Sequence, residues 1–531
     1  MVHFQVIQNL SDKLGVRYVE LNFVICQCLA LLCSYIFRWF FKPTKVSATT
    51  RHAVQLVVGF LLAILAFNMG LFHVLIDATV CYIMMLTIDP HLAQYYVFAF
   101  SMSYMSAVHI YHQSLELGVY NLDYIGPLMI LTMKLSSLSW SIHDGCARDE
   151  DKLTDQQKKM IVRKVPNPLE FYSFIFNVPG LLVGPVCYFT HYIEFIDGTN
   201  FMHSVKNEKE EEVMVYKEPS SVRAVTGKLL FTVMSALVLM LVVPRFPIWG
   251  NVDDDFINNR SMLYKIAFLM LSIEVAKSKY FFAWVWADAI NNAAGIGFNG
   301  YDKHGKPKWD GVTNIRIWNF ETATSLKVLV DSWNVTGSTW LRHVCYDRVP
   351  FQKQLITFVL SAVWHGFYMG YFITFLSASL FVTAAKKVRI NLRHHFQSSV
   401  GLSRLYDVLT WACTHLCLAY FIAPFTFLRW DPCIKYFNSL YWFLHILAIA
   451  ALFLPGRRRT KPPSEETSKR PEVLNHNLPP HISESFNGSL QFEDKKEAVK
   501  REWANQEQVI CIFYVFIYSC LSYQLWSGAR G

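Results

Sequence analysis

The residue of this sequence with the clearest chemical potential is a histidine in an apolar stretch. His365 lies near the middle of Leu355–Ala384, between Trp364 and Gly366. An imidazole has an unperturbed pKa near neutral pH, so its neutral form can accept the proton of a hydroxyl as a general base. Gly366 and Gly370 are four residues apart, and on one helix face they would leave a shallow channel beside the histidine. The alternative is a hydrogen-bonded packing histidine beside a G-x-x-x-G helix contact.

A second polar group lies upstream, in the aromatic and amphipathic segment 314–349. Trp333 and Asn334 lie within this segment, which is too charged to span a bilayer. We therefore expect it to lie in the membrane interface or to re-enter the membrane, with its backbone buried by protein. An amide such as Asn334 can hold a hydroxyl or a developing oxyanion. Two alternatives stay open, because Asn334 begins a glycosylation sequon and an asparagine can also cap a helix.

The elements that must hold these groups are membrane-spanning helices. Of the 531 residues, 53% are hydrophobic and 17% are charged, whereas soluble proteins carry about 25% charged residues. A spanning helix needs roughly 20 predominantly apolar residues. We predict an all-α polytopic membrane protein, with about eleven transmembrane helices and re-entrant or interfacial helices around a central catalytic cavity. The predicted spans are Leu21–Phe41, Ala53–Phe72, His73–Ile88, Tyr95–Tyr111, Tyr124–Ser141, Leu169–Phe189, Leu229–Val243, Met262–Ala287, Leu355–Ala384, Leu405–Phe425 and Tyr436–Pro455.

Composition divides the chain into four segments. An N-terminal segment, 1–20, precedes a membrane domain at 21–455. The stretch 456–508 exchanges apolar residues for charge, Pro, Ser and Asn, and is predicted to be a disordered cytosolic tail. The apolar stretch 509–531 could span the membrane, lie in the interface or fold back on the bundle.

The charge and the cysteine content limit which kinds of partner and chemistry we expect for this chain. The net charge is +9. The basic clusters at 386–393 and 457–461 are assigned to the cytosol, because basic loops tend to stay there. The 12 cysteines include no C-x-x-C pair, so zinc and redox chemistry have no support and no metal site is predicted. The lipid bilayer is the predicted environment, and we predict no nucleic-acid partner.

Two motifs resemble the membrane-bound O-acyltransferase superfamily. They are W-H-G-x-x-x-G-Y at Trp364–Tyr371 and W-N at Trp333–Asn334. In that family the histidine and the asparagine form the catalytic pair, which implies His365 and Asn334 as the catalytic residues here. The resemblance extends from about Leu21 to Pro455, so it implies an O-acyltransferase domain at 21–455.

Further motifs resemble the lysophospholipid acyltransferase branch of the superfamily. They include H-D-G at His143–Gly145 and the segments 166–185, 280–298 and 320–327. The details are most similar to the subgroup that acylates lysophosphatidylethanolamine and lysophosphatidylserine, often with oleoyl-CoA. The resemblance also implies a multi-pass protein of the endoplasmic reticulum membrane.

The implied reaction transfers an acyl group from acyl-CoA to a lysophospholipid hydroxyl, with acyl-CoA as co-substrate and no cofactor. Loop cations can pair with the CoA phosphates. The substrate-binding candidates are Trp333, Trp364, Gly366, Gly370 and Tyr371, together with Lys303, Lys306 and Lys308. One alternative is a protein or peptide O-acyltransferase of the same superfamily. Another is a secondary transporter, which would be expected to show internal repeats. The sequence leaves the oligomeric state open.

Overall fold

The structure, a computed structural model, describes residues 5–115, 124–206 and 212–455. The predicted tail at 456–508 and the apolar segment at 509–531 lie outside the described residues, so both stay predictions. Within the described ranges the chain is mostly helical and forms a single two-stranded sheet, which confirms the all-α prediction.

The α-helices of the described ranges are numbered in chain order. The first half of the chain holds α1 (Gln5–Leu14), α2 (Tyr18–Phe40), α3 (Ala48–Phe67), α4 (Leu71–Thr87), α5 (Ala93–Leu115), α6 (Ile125–Cys146), α7 (Asp155–Lys158), α8 (Pro168–Ile175), α9 (Phe189–Asp197) and α10 (Val222–Leu241). The second half holds α11 (Asp254–Asn259), α12 (Met262–Ala276), α13 (Ser278–Ala294), α14 (Ile317–Glu321), α15 (Leu326–Ser332), α16 (Val335–Leu341), α17 (Lys353–His365), α18 (Met369–Leu392), α19 (Val400–Phe427), α20 (Trp430–Ser439) and α21 (Phe443–Leu452).

Shorter elements connect these helices. A two-stranded antiparallel hairpin pairs β1 (Met202–Lys206) with β2 (Glu212–Tyr216). Short 3-10 helices lie at Asn68–Gly70, Glu150–Lys152, Val178–Gly180, Thr199–Phe201, Val243–Arg245, Ile248–Val252 and Arg393–Phe396, and a π-helical turn lies at Arg342–Tyr346.

Six helical segments of the described chain are long and apolar enough to cross a membrane. They are Tyr18–Phe40, Ala48–Thr87, Ile125–Cys146, Val222–Val252, Met369–Phe396 and Val400–Phe427. The pair α20 and α21, bent by 81°, would make a seventh. The multi-pass architecture is therefore confirmed, whereas the count of about eleven spans is not.

Part of the difference in count comes from predicted spans that are broken. In Leu169–Phe189, α8 ends at Ile175 and α9 begins only at Phe189. The chain between them contains Pro179 and Pro185, which lack the amide hydrogen that a helix needs. Met262–Ala287 is likewise divided at Lys277, between α12 and α13.

The buried lysine at the second break is paired on both sides. The Lys277 ammonium lies 2.7 Å from Glu274 Oε2 and 2.8 Å from Glu321 Oε1. A buried ammonium is costly unless carboxylates compensate it. The break between α12 and α13 therefore lies where α14 supplies a carboxylate.

Two large groups of buried apolar side chains form the interior. The first is built mainly by α2–α6, α8 and α9, and it includes Trp340 and Trp364. The second is built mainly by α12, α15 and α18–α21, and Trp333 packs against it. The short helix α16, which follows Trp333 and ends just beyond Trp340, therefore joins the two halves of the interior.

Candidate functional site

His365 is the last residue of α17 and is not in the middle of a spanning helix. Gly366 follows it with φ 118° and ψ −172°, a conformation that is essentially restricted to glycine. The Gly366 amide bonds back to the carbonyls of Ala362 and Val363, and α18 begins only at Met369. This corrects the prediction of one helix over Leu355–Ala384, and Gly366 and Gly370 do not share a helix face.

The His365 ring is surrounded by aromatic side chains. Ring centroids lie 4.6 Å away for Trp364, 5.0 Å for Phe425, 5.2 Å for Phe375 and 5.8 Å for Tyr371. The Phe375 ring is stacked on the imidazole, while the Phe425 ring meets it edge-on. Such ring contacts are directional, so they hold the imidazole in a defined orientation within an apolar surrounding.

Two tryptophans fix the segment around His365 onto α6. The indole Nε1 of Trp364 donates to the backbone carbonyl of Met129 at 3.2 Å, and the indole of Trp340 donates to Ser136 Oγ at 2.8 Å. The Trp340 and Trp364 rings lie 5.5 Å apart. Both α16 and α17 are therefore held on one side of α6.

Asn334 is the N-cap of α16. Its Oδ1 accepts a hydrogen bond from the Gly337 amide at 3.3 Å, and its backbone lies in the left-handed region at φ 46° and ψ 56°. A Cβ at position 337 would lie 2.5 Å from Asn334 Nδ2, so the glycine makes room for the amide. The capping alternative is thus realised in the structure, and it engages only the oxygen of the side chain.

A second asparagine holds the start of α16. The Asn314 carbonyl accepts from the Val335 amide at 2.7 Å, and Asn314 Oδ1 accepts from the hydroxyl and the amide of Thr336 at 2.6 and 3.1 Å. Asn314 is 4% exposed. We predicted no role for Asn314 from the sequence, because the residue type alone does not show which groups its side chain will bond.

The structure does not bring all of the predicted site residues together. Trp364, Gly366 and Tyr371 lie around His365. Trp333 packs against the second group of buried side chains, and its ring centroid lies 4.9 Å from that of Phe320 and 5.1 Å from that of Trp284. No hydrogen bond joins Asn334 to His365 in the part of the chain that the structure describes, and the Trp340–Trp364 contact connects their helices.

Gly370 serves helix packing. Its amide donates to the Leu428 carbonyl at 2.8 Å, and a Cβ there would lie 2.2 Å from the Pro424 carbonyl oxygen. The glycine therefore allows α18 to approach the end of α19 closely. This is the helix-contact alternative that the sequence left open.

The three candidate lysines lie on an exposed loop between α13 and α14. Lys303, Lys306 and Lys308 are all exposed, and the loop closes on itself through a bridge between Tyr301 and Pro307. Asp302 Oδ1 accepts from the Lys306 amide at 2.8 Å, and this bond lowers the pKa of Asp302. The structure therefore places all three cations on the surface of this loop.

An ion pair that the sequence did not predict ties the site segment to α6. Arg348 donates to both carboxylate oxygens of Asp144, at 2.9 and 2.6 Å, and the Asp144 side chain is 1% exposed. The Arg348 guanidinium also lies 3.9 Å from the centre of the Trp140 ring. Asp144 belongs to the H-D-G motif, so the structure gives that motif a role in anchoring the segment that follows α16.

Two pockets of the described chain lie elsewhere. One of about 740 Å³ is lined by residues including Arg260, Trp430 and Lys435, and one of about 400 Å³ lies between α2 and α3. Neither is lined by Asn334 or His365. The predicted central cavity around His365 therefore stays a prediction.

Comparison with known proteins identifies the family. The model of the membrane-bound O-acyltransferase family matches residues 113–423, more than half of the chain. The chain is 38% identical to human membrane-bound glycerophospholipid O-acyltransferase 1, over 88% of this chain and 94% of that protein. It is 38% identical to chicken membrane-bound glycerophospholipid O-acyltransferase 2, over 86% and 88%. It is 29% identical to the lysophospholipid acyltransferase of Schizosaccharomyces pombe, over 83% and 87%.

These similarities bear on the sequence-based prediction directly. The matched residues 113–423 contain Asn334 and His365, and they favour the acyltransferase prediction over the transporter alternative. The chain belongs to the membrane-bound O-acyltransferase family, and it is a multi-pass membrane enzyme of the acyltransferase class.

Proposed function

We propose that this enzyme transfers an acyl group from acyl-CoA to the free hydroxyl of a lysophospholipid, in the endoplasmic reticulum membrane. Its relatives are named as glycerophospholipid and lysophospholipid acyltransferases and align with 83–88% of the chain. The observation that carries the proposal is His365 itself, an imidazole in an aromatic surrounding at a turn that only glycine adopts readily, inside the family domain.

In the proposed reaction His365 is the general base. A ring nitrogen takes the hydroxyl proton while the hydroxyl oxygen attacks the carbonyl carbon of the thioester. The carbon–sulfur bond then breaks, and the imidazolium returns the proton to the CoA thiolate. The acyl group passes directly to the lysophospholipid, so no acyl-enzyme forms.

Asn334 is proposed to hold the reacting hydroxyl or to stabilise the developing oxyanion. Its Oδ1 is engaged by the Gly337 amide. Its Nδ2 group donates no hydrogen bond to any residue that the structure describes, so this group is available to a substrate oxygen. A preorganised amide donor of this kind lowers the barrier when negative charge develops on the carbonyl oxygen.

The two substrates are proposed to arrive by different routes. Acyl-CoA carries phosphates and enters from the cytosol, where Lys303, Lys306 and Lys308 are exposed cations that can pair with phosphate. The lysophospholipid enters laterally from the bilayer. Trp333, Trp364 and the other candidates near the motifs are proposed to line the apolar path to His365.

The finer proposal names the substrates. We propose lysophosphatidylethanolamine or lysophosphatidylserine as the acceptor and oleoyl-CoA as the donor. This choice is supported by the resemblance of the segments 280–298 and 320–327 to the subgroup that uses these lipids.

A substrate panel tests the proposal. The purified protein in lipid nanodiscs is given lysophospholipids with ethanolamine, serine, choline or inositol head groups, each with oleoyl-CoA and with arachidonoyl-CoA. We expect equal amounts of CoA and diacyl phospholipid by mass spectrometry, highest for the ethanolamine or serine head group with oleoyl-CoA. Acylation of a peptide hydroxyl but of none of these lipids would contradict the proposal, and a strong choline or inositol preference would contradict only its finer part.

A further inference from the structure

The larger of the two pockets of the described chain lies between the start of α12 and α20. Its volume is about 740 Å³, within the range of about 300–1,000 Å³ that small-molecule sites occupy. Ile257, Met262 and Ile434 supply its apolar lining, whereas its charged lining is mainly basic. Because neither Asn334 nor His365 lines it, this pocket is a second place where the protein can bind a ligand.

Three cations line the pocket, and two of them have no acidic partner. The Lys435 ammonium lies 2.7 Å from Asp254 Oδ1. The side chains of Arg260 and Lys265 form no ion pair and no hydrogen bond with any residue that the structure describes, and the Arg260 guanidinium lies 5.3 Å from the centre of the Tyr264 ring. Lys265 is nevertheless half-buried. Removing a charge from water without a counter-charge is costly, so the pocket holds positive charge that a bound anion would compensate.

The acidic residues near the pocket do not neutralise these two cations. Asp253 caps α11 by accepting from the Phe256 amide at 3.0 Å, and Asp255 accepts from another side chain of the same helix at 2.6 Å. Asp431, the acidic residue that lines the pocket, lies 3.9 Å from Arg429. Each of these acids therefore has a partner other than Arg260 or Lys265.

The start of α12 adds to the positive charge of the pocket. This helix of 15 residues begins at Met262, which lines the pocket, and its first turn contains no acidic residue. The free amides at a helix N-terminus carry a partial positive charge, which attracts anions and disfavours cations. Lys265 lies in this first turn. A bound anion would therefore interact favourably with the helix end and with Lys265 at the same time.

The pocket lies at the ends of two candidate spans. Val400–Phe427 ends just before Trp430, and Val222–Val252 ends just before α11. The basic cluster at 386–393 precedes α19 and the pocket follows it, so the pocket lies at the opposite end of this span from the predicted cytosolic side. Trp430 and Tyr441, which line the pocket, are 54% and 75% exposed. Such rings are enriched where a membrane meets water, so we expect the pocket to open at the membrane–water interface.

An apolar surface suited to lipid chains begins beside the pocket. Tyr441 lies between α20 and α21, and α21 carries Ile446, Leu447 and Phe453, which are 60%, 60% and 85% exposed. Lipid tails are as apolar as such side chains, so acyl chains can lie along α21 while a head group occupies the pocket. A soluble anion would leave this surface without a contact. The arrangement therefore favours a lipid over a soluble phosphate as the occupant.

We propose that this pocket binds the head group of an anionic glycerophospholipid, with Arg260 and Lys265 pairing with the head group and the acyl chains lying along α21. Guanidinium and ammonium groups form strong hydrogen bonds with phosphate, and basic pockets between membrane helices bind anionic head groups. The lipid is anionic because a phosphate compensates one of the two cations and a further negative group compensates the other. This site takes no part in acyl transfer, so the inference goes beyond the proposed function and does not depend on it.

Native mass spectrometry of the full-length protein, released from detergent, tests the inference. The probes are dioleoyl phosphatidylserine, dioleoyl phosphatidylcholine, glycerophosphoserine and inorganic phosphate. We expect one phosphatidylserine to bind about 10-fold or more tightly than phosphatidylcholine, since a hydrogen bond to a charged group contributes about 1.5–3 kcal/mol. The two soluble probes should bind more weakly than phosphatidylserine, because they lack the chains that contact α21. Equal affinity for the two lipids would overturn the inference, and so would a soluble probe that binds as tightly as phosphatidylserine.

A double substitution tests the two cations directly. Arg260→Gln with Lys265→Gln removes both charges and keeps long polar side chains, so we expect its affinity for phosphatidylserine to fall about 10-fold or more. Lys158→Gln with Lys159→Gln is the matched control, because these exposed lysines line neither pocket, and it should keep the wild-type affinity. An unchanged affinity in the first double variant would overturn the inference, as would an equal loss in the control.

Two further measurements exclude a folding defect and binding at the acyl-transfer site. Phosphatidylserine should raise the melting temperature of the wild type and of the lysine control, as a ligand of the folded state does. It should not raise that of the Arg260→Gln/Lys265→Gln variant, whose melting temperature without lipid should match the wild type. His365→Ala should keep the wild-type affinity for phosphatidylserine. Loss of phosphatidylserine binding in His365→Ala would assign the bound lipid to the acyl-transfer site and overturn the inference, while leaving the proposed function intact.

Discussion

At the scale of single residues, Gly366 has the most restrictive position. Its φ of 118° and ψ of −172° cost a residue with a Cβ about 1–3 kcal/mol, and a Cβ there would press on the His109 ring. We expect Gly366→Ala to lower the melting temperature and to reduce turnover by misdirecting His365. Gly227→Ala is the control, since Gly227 lies in the helix α10 with nothing within 4 Å of its Cβ position.

The control should behave in the opposite way. Replacing a helical glycine by alanine stabilises a helix by about 0.5–1 kcal/mol, so Gly227→Ala should be as stable as the wild type or more so. Thermal unfolding and initial rates of both variants decide the matter. A Gly366→Ala enzyme with wild-type stability and turnover would contradict the strained turn.

The substitution Asn334→Asp distinguishes the helix-capping role of Asn334 from its proposed catalytic role. Aspartate is as good an N-cap as asparagine, but it replaces the Nδ2 donor with a carboxylate oxygen. We expect Asn334→Asp to fold normally and to lose at least about 10²-fold in kcat, as the loss of an oxyanion donor does. The measurement is kcat per folded protein.

Asn167 supplies the matched control for that substitution. It caps α8, where its side chain accepts from the Glu170 amide at 3.0 Å. Asn167→Asp should therefore keep its activity. If Asn334→Asp is fully active, Asn334 is a cap alone. A glycan found on Asn334 by mass spectrometry would exclude it from the site as well.

The residue types at the site could be predicted from the sequence, but their arrangement could not. His365 and Asn334 were proposed from the W-H-G and W-N motifs, and both lie within the matched residues 113–423. The end of α17 at His365 was not predicted. From the sequence alone, a glycine inside an apolar stretch cannot be distinguished from a glycine that ends a helix there.

At the scale of elements, the pair Arg348–Asp144 connects the site segment to α6. Removing one member of a buried ion pair leaves an uncompensated charge and costs about 3–5 kcal/mol. We therefore expect Arg348→Ala to be strongly destabilised, since Asp144 is 1% exposed. Arg148, which also bonds Asp144 at 3.1 Å, will compensate in part. The measurement is thermal unfolding of the detergent-purified protein.

An exposed ion pair provides the comparison. Arg163 pairs with Glu150, and both side chains are more than half exposed. Such surface pairs contribute little to stability, so Arg163→Ala should leave the melting temperature nearly unchanged. Equal effects of Arg348→Ala and Arg163→Ala would show that the Arg348 pair does not anchor the segment.

The elements themselves were predicted unevenly. Continuous apolar runs such as α2, α6 and α19 were recognised because hydrophobic length alone marks a span. The breaks at 176–188, at Lys277 and at Gly366 were not, because their causes are prolines, a lysine paired to Glu321 from another helix, and one backbone conformation. Apolar composition reports burial in the membrane, but it does not report where a helix stops inside it.

At the scale of the whole molecule, we expect the exposed apolar face of α10 to lie against lipid. It carries an exposed apolar stripe consisting of Leu230, Val233, Met234, Leu237 and Leu241. A lysine at the centre of a spanning helix costs about 2.5–3.5 kcal/mol. We expect Met234→Lys to reduce the amount of folded protein in the membrane, measured by fluorescence-detected size exclusion. Met214→Lys is the control, because Met214 is similarly exposed but lies in β2, outside the candidate spans.

The two substitutions should therefore differ, although both replace an exposed methionine. Equal yields of folded protein would mean that the α10 stripe does not face lipid. The prediction of a multi-pass helical protein requires such a lipid-facing surface. The amino-acid composition alone was sufficient for that prediction. The number of spans could not be predicted from composition, because short helices such as α8 and α17 are as apolar as helices that span the membrane.

The central claim is that His365 removes the proton from the accepting hydroxyl. Its most direct test is the turnover of His365→Ala with oleoyl-CoA and lysophosphatidylethanolamine, measured per folded protein. His445→Ala is the control, because the His445 imidazole also lies among aromatic rings, with ring centroids 4.9 Å from Phe437 and 5.2 Å from Trp442. We expect His365→Ala to lose about 10²–10⁴-fold, as general-base removal does, and His445→Ala to keep most of its turnover. Wild-type turnover in a folded His365→Ala enzyme would contradict the claim.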